Sequence, residues 1–250
     1  MKPPPFDYHA PSTMAEALDL LAKLEDAKVL AGGQSLIPLL NFRLASPAHL
    51  VDINGIAELE YVRERDGGVA IGAGARQSDV EDDKTVRRIC PLLAEALGQV
   101  AHPVIRNRGT VCGSLAHADP AAELPAVLLA AGGEVVARSV RGERRITAQD
   151  FFKGVFDSAL EADELLVEAW FPATTGPFAL VEESRRHGDF ALAGAARSGD
   201  RLALFGVAPT PVLADPTDPS HGLSPSGDLE ATPAFRLHLV EVLVRRAFAS

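Results

Sequence analysis

At 250 residues, with 47% hydrophobic and 23% charged residues and neither a Gly-X-Y period nor a low-complexity block, the composition is that of a soluble globular protein of about one to two domains; a disordered or fibrous chain is excluded. Lys plus Arg number 24 against 34 Asp plus Glu, and the net charge of −10 is the opposite of the basic face that nucleic-acid binding requires. The two cysteines, Cys90 and Cys112, lack any CxxC or Cys/His spacing, which argues against a disulfide framework or a protein-ligated zinc or iron–sulfur site and fits a reducing cytoplasm.

The N-terminus, MKPPPFDYHAPS, has no apolar segment of the kind that exports a chain. Thr13-Met14-Ala15-Glu16 reads as a capping box, in which hydroxyl and carboxylate satisfy amides that a first helical turn leaves unpaired. Ala17, Leu20, Leu21 and Leu24 continue it at helical spacing. A short strand, Lys28-Val29-Leu30, runs into the turn Ala31-Gly32-Gly33-Gln34-Ser35 and then Leu36-Ile37-Pro38-Leu39-Leu40, and a second strand over 49–53 closes a small α/β unit.

From 61 the texture changes to short strands, with a predicted hairpin of 61–65 and 69–72 about Asp66-Gly67-Gly68. Residues 78–83 and 91–100 read as helices and 106–114 as a Gly-bearing loop. Asp119 and Pro120 read as N-cap and N1 of a helix through Leu124, Val127 and Leu128 that ends at Gly132-Gly133. A second hairpin is expected over 134–140 and 144–147, a strand over 165–171, and a linker over 172–177. Beyond it come a hairpin around Ser198-Gly199-Asp200, a proline-rich stretch over 209–233, and a terminal helix capped by Thr232 and Pro233 with Arg245 and Arg246 at its C-terminal end. The proline-rich stretch is long for a structureless segment and reads as a surface loop, a partner contact or a truncated element. The longest apolar stretch, 125–131, is far below the ~18 residues that span a bilayer.

The Gly32-Gly33 turn reads as a tight turn or as a phosphate loop whose bare amides approach an anion without a Cβ clash. Thr110-Val111-Cys112-Gly113-Ser114 is a second such segment, flanked by hydroxyls. Neither is a Walker sequence, and Ile71-Gly72-Ala73-Gly74-Ala75-Arg76-Gln77 lacks the third glycine of the dinucleotide fingerprint. His102 and His117 flank the second segment as structural histidines or acid/base groups, Asp119 reads as a cap, and Glu123 as a solvated carboxylate or an acceptor for a sugar hydroxyl. No catalytic constellation and no metal-ligand spacing emerges.

In this order, Ala31 to Leu36, Ile71-Gly72-Ala73, the block from Arg106 to Pro120 and Gly188-Asp189-Phe190-Ala191 resemble the FAD-binding medium subunit of molybdenum hydroxylases, the group that includes the carbon monoxide dehydrogenase medium subunit and the flavin domain of xanthine dehydrogenase. The resemblance covers nearly the whole chain. It implies an α+β architecture: a two-subdomain FAD-binding fold of the vanillyl-alcohol oxidase type over 1–175, with subdomains of about 1–56 and 57–175, and a small α+β C-terminal domain over 176–250, shortened relative to the family. By position it implies non-covalent FAD held by Ala31, Gly32, Gly33, Gln34, Ser35 and Leu36 and by Thr110, Val111, Cys112, Gly113 and Ser114, with Glu123, Leu166 and Phe190 as further contacts.

The resemblance also implies that electrons come from molybdopterin in a large subunit through two [2Fe–2S] clusters in a small subunit, and leave FAD for an external acceptor. The assembly would be a cytoplasmic dimer of heterotrimers. Two departures stand out: Cys112 occupies a place where the family commonly has Gly, which puts a Cβ beside the cofactor and strains the loop if φ is positive, and Val181 replaces a flavin-proximal lysine of xanthine dehydrogenases. A stand-alone FAD oxidoreductase of the same fold and a flavin-free structural subunit are the alternatives.

Overall fold

Short apolar strands alternating with an amphipathic helix build the first part of the molecule. In the computed structural model, which describes residues 1–249, β1 (Asp7–His9), α1 (Met14–Lys23), β2 (Ala27–Leu30), α2 (Leu36–Asn41) and β3 (His49–Asp52) come first. The strands form a parallel sheet in the order β1-β3-β2, which requires the crossovers that the helices supply. The capping box is present in both directions: Glu16 N donates to Thr13 Oγ1 at 3.2 Å and Thr13 N to Glu16 Oε2 at 3.3 Å.

Next come β4 (Val62–Arg65), β5 (Gly68–Gly72), α3 (Gln77–Asp82), α4 (Lys84–Ile89), α5 (Pro91–Gln99), α6 (Pro103–Arg106), α7 (Val111–His117), α8 (Glu123–Ala131), β6 (Glu134–Ser139), β7 (Gly142–Thr147), α9 (Ala148–Phe151), β8 (Phe152–Gly154), β9 (Asp157–Ser158) and β10 (Leu165–Pro172). Their main sheet is antiparallel in the order β4-β5-β10-β6-β7. Its central strand β10 is buried from Leu165 through Ala169. The one charge there, Glu168, accepts from Tyr61 Oη at 2.7 Å, from Arg63 at 3.0 Å and from Arg65.

The last part holds β11 (Phe178–Glu183), β12 (Ala193–Ser198), β13 (Arg201–Phe205), β14 (Val212–Leu213) and α10 (Pro233–Ala249), with the strands antiparallel in chain order. Strand alternation sends Leu180, Ala196, Ala203 and Phe205 into the main core beside α8, while Ala195, Leu202 and Leu204 pack with Leu239, Val240, Leu243 and Val244 of α10. α8 is shared: Arg201 donates to the carbonyls of Ala130 and Leu129 at 2.9 and 2.8 Å, and Gly206 N donates to Pro120 O at 2.7 Å. Among the described residues no helix is long and apolar enough to cross a membrane.

The structure differs from the expectations in two places that matter here. Residues 111–114, expected as part of a loop over 106–114, belong to α7 (Val111–His117), with Thr110 as its N-cap. Asp119 and Pro120 do not start α8, whose N-cap is Ala122; the Asp119 carboxylate instead accepts from Ala121 N at 2.9 Å and closes the turn between α7 and α8.

Candidate functional site

Two glycine-bearing segments far apart in sequence meet at one place. After Leu30 the chain turns through Gly33, which is left-handed at φ +72°, into α2. Among the described residues the successive amide N–H groups of Gly32, Gly33, Gln34, Ser35 and Leu36 donate to no protein acceptor. Such a run of bare amides around a left-handed glycine is a concavity that suits an anion.

The second segment lies against the first. An isolated antiparallel bridge joins Arg76 to Thr110, and Gln77 N donates to Gly109 O at 2.8 Å. Gly32 is stacked flat on this segment, since a Cβ there would run into Arg108 O and lie 2.7 Å from Gly109 Cα. Arg76 locks the junction by donating to Arg108 O and to Asn54 Oδ1, both at 2.6 Å, and Asn54 Nδ2 donates to Ala31 O at 2.9 Å. Thr110 Oγ1 accepts from Gly113 N at 3.0 Å, and the Cβ position of Gly113 lies 4.0 Å from Ala31 Cβ. The Arg76 guanidinium, bonded across the junction, adds positive charge to this cradle in an otherwise acidic chain.

Within 110–114 the side chains divide. Val111 and Cys112 are turned into the core, and the Cys112 Sγ sits 3.5 Å from Ile71 O, beneath β5. Its backbone is helical with no positive φ, so the expected crowding and strain at Cys112 are absent: helical periodicity points this Cβ away from the cradle and leaves only its amide to offer. Gly113 lies against the first segment, Thr110 caps α7 beneath it, and Ser114 N donates to Thr110 O at 3.1 Å.

Glu123 is the first residue of α8 and is 6% exposed; burial, with the Asp119 charge adding to it, pushes its carboxyl up to about 7 although its own backbone N–H pulls down. Beside it electrostatically is Glu182 on β11, pushed up to about 8 by burial and then by the charge of Glu123. Sequence reading missed Glu182; the signal was its shared parity with Leu180 on an alternating strand. Val181, one residue earlier, faces the opposite way and packs with the α10 core.

Leu166 is buried at the centre of the main sheet, opposite Ala137 where the β10–β6 register slips. α7 packs on the same strand. Phe190 is 61% exposed in the loop between β11 and β12. The same loop lies over the start of α6: Gly188, at φ +90°, is so close to the His102 ring that a Cβ would be 2.6 Å from Cε1, and the His187 ring is 6.0 Å away. His117 is half-buried against the Phe156 ring at 4.9 Å, and burial lowers its pKa against the opposing charge of Asp119. Among the described residues no group of three or more His, Cys, Asp or Glu is placed to hold a metal ion.

Comparison with known proteins adds a family context to this geometry. Residues 4–174 match the family described as FAD binding domain in molybdopterin dehydrogenase. The chain is 41% identical to the 6-hydroxypseudooxynicotine dehydrogenase complex subunit alpha of Paenarthrobacter nicotinovorans, covering 100% of this chain and 95% of that one. It is 43% identical to the carbon monoxide dehydrogenase medium chain of Hydrogenophaga pseudoflava over 84% of this chain and 77% of that one. The solved carbon monoxide dehydrogenase from the same organism, lacking the Mo-pyranopterin moiety of its cofactor, superposes with a TM-score of 0.94 at 36% identity over 100% of this chain and 98% of the other.

Proposed function

The chain belongs to the family of FAD-binding domains of molybdopterin dehydrogenases, and from that membership we propose that it is the electron-transfer subunit of a molybdenum-dependent dehydrogenase, taking electrons from [2Fe–2S] clusters of a partner subunit and delivering them to an external acceptor. It is an FAD-binding oxidoreductase subunit with a mixed α/β fold matching that of the carbon monoxide dehydrogenase structure. Its relatives are subunits of multi-subunit dehydrogenases. In the finer reading, residues 1–175 are a two-subdomain FAD fold of the vanillyl-alcohol oxidase type and 176–250 a short C-terminal domain. The partners are a small iron–sulfur subunit and a large molybdopterin subunit in a cytoplasmic dimer of heterotrimers.

The observation that carries this reading is the cradle. Unpaired amides at 32–36, stacked through Gly32 on Arg108 and Gly109, offer donors of the kind that a pyrophosphate such as that of FAD requires. Ala31 to Leu36 would hold one side of that group and Thr110, Gly113, Ser114 and the Cys112 amide the other, while Glu123, Leu166 and Phe190 bound the rest of the cofactor. FAD bound there supplies exchange between one-electron donors and a two-electron acceptor. The chain's own contribution is to position it, to withhold water through the sheet and α8, and to set the charge around it.

The test is co-expression with the neighbouring iron–sulfur and molybdopterin subunits, followed by visible absorption and acid release of flavin. Non-covalent FAD at about one per chain, together with iron–sulfur absorption, is the expected result. An intact complex without flavin would overturn the reading in favour of a structural subunit, and turnover by the chain alone would favour a self-sufficient oxidoreductase.

A further inference from the structure

Two carboxyl groups at the main core have no cationic partner among the described residues: Glu123, which is buried, and Glu182, which is half-buried with one oxygen enclosed. Glu123, at the head of α8, is 6% exposed and its side chain bonds no other residue. Glu182 lies on the face of β11 that carries Leu180 into the main core, and its Oε2 is buried without a hydrogen-bond partner. The surrounding elements bring no compensating charge. β12 and β13 present Gly194, Ala196, Ala203 and Phe205; the turn before α8 carries Asp119; the end of α7 carries His117, whose pKa burial lowers; α5 presents Glu95, whose carboxylate accepts from Leu180 N at 3.2 Å. Arg201 lies at the far end of α8 on the carbonyls of Leu129 and Ala130, and Arg185 is 3.0 Å from Glu230.

The place of the pair is as informative as its chemistry. Gly206 N on Pro120 O holds the last sheet to the turn before α8, and β11 leads into the loop whose Gly188 rests on His102. His102 caps the short helix α6, which runs into Arg108 and the cradle. A buried carboxyl group without a partner is costly, and it is tolerated when it is neutralised and when a ligand completes its hydrogen bonds.

We propose that Glu182 is a cofactor-binding residue contributed by the C-terminal sheet, and that with Glu123 it forms a proton-sharing pair that hydrogen-bonds the polyhydroxyl chain of FAD. The inference rests on the cradle being the FAD site. A carboxylic acid donates and a carboxylate accepts, so one proton on two carboxyl groups matches a run of alcohols, each of which does both. The raised pKa values of both groups, Glu123 about 7 and Glu182 about 8, keep that proton near neutral pH, and the two titrate as a coupled unit.

The experiment titrates FAD into the flavin-free full-length chain, reads flavin fluorescence from about pH 6.5 to about pH 9, and compares wild type with Glu182→Gln and Glu182→Leu, with thermal melts alongside. Wild type is expected to lose FAD affinity about tenfold for each pH unit over which the bound pair must hold its proton. Glu182→Gln, neutral and still hydrogen-bonding, should bind as wild type at about pH 6.5 and lose most of that pH dependence. Glu182→Leu should melt no lower than wild type at about pH 8 yet bind FAD at least about tenfold more weakly, because the apolar side chain relieves the buried charge and removes the hydrogen bond. Wild-type affinity in Glu182→Leu, or a wild-type pH profile in Glu182→Gln, overturns the proposal while leaving the cradle reading intact. A wild-type chain that takes no FAD at any pH overturns both.

Discussion

A missing Cβ decides whether the two halves of the cradle can touch. Gly32 lies flat on the backbone at Arg108 and Gly109, a contact that any side chain would open. Gly32→Ala should therefore displace one segment from the other and weaken FAD binding by more than about tenfold, with about 1 to 3 kcal/mol lost from the flavin-free fold as overpacking; fluorescence titration and urea unfolding measure the two effects. Cys112 teaches the converse. It lies beside a glycine in sequence, yet its thiol is enclosed by core and burial holds its pKa far above the usual thiol range; Cys90 is buried and raised in the same direction. Neither thiol should react with iodoacetamide at about pH 8 unless the chain is unfolded. Cys112→Gly should lower stability by about 1 kcal/mol or more, through the lost burial of the thiol and the poorer helix propensity of glycine, and leave FAD binding unimproved; a gain in flavin content would show that the side chain obstructs the cofactor after all. The need for bare backbone was legible in the string Ala31-Gly32-Gly33-Gln34-Ser35, whereas the direction of the Cys112 side chain was not, because it depends on α7 being a helix.

At the scale of elements, the strands with clear turn signals and the short helix α3 were readable, and the other short helices of the central part were not. The hairpins β4–β5, β6–β7 and β12–β13 follow from Gly or Asp-Gly turns between apolar runs, and the α1 cap from Thr13 and Glu16. α4, α6, α7 and α9 are four to seven residues long, too short for a periodic pattern to stand out, and they form because neighbours cover them. The signal Asp119-Pro120 was real but served a turn. β10 shows what tertiary contact adds to an element: burial alone would raise the Glu168 pKa, but bonds from Tyr61, Arg63 and Arg65 outweigh it and hold the carboxyl below its ordinary value. Removing Glu168 leaves partly buried Arg65 with only the exposed carboxylate of Asp66, so Glu168→Ala should cost about 3 kcal/mol in urea unfolding, with the denaturant slope unchanged. A loss near zero would mean that the arginines simply turn to water.

For the whole molecule, opposing carboxyl populations set a stability optimum. Glu168 and Glu164 have lowered pKa values, so the stability they contribute is present above the unfolded value and is lost as pH falls through the folded one. Glu123 and Glu182 are raised, so folding is favoured while they are protonated and stability is lost as pH rises from the unfolded value through about 7 and about 8. The flavin-free chain should therefore melt highest near about pH 5 to 6 and lower at about pH 4 and about pH 9, and Glu182→Gln should flatten the alkaline side; a melt that rises steadily to about pH 9 would contradict the burial of the pair. The sequence by itself determined the class of the protein, the strands and caps marked by local turn chemistry, and the two glycine segments, because each of these rests on residues a few positions apart. Only the tertiary structure decided that Gly32 abuts Gly109, that Cys112 faces the core, and that Glu182 of the last sheet turns to the main core, where the charge of Glu123 acts on it. Those facts depend on which surfaces long-range packing brings together, and burial, the largest cause that turns Glu123 and Glu182 from solvated charges into proton-holding acids, has no local signature in the chain.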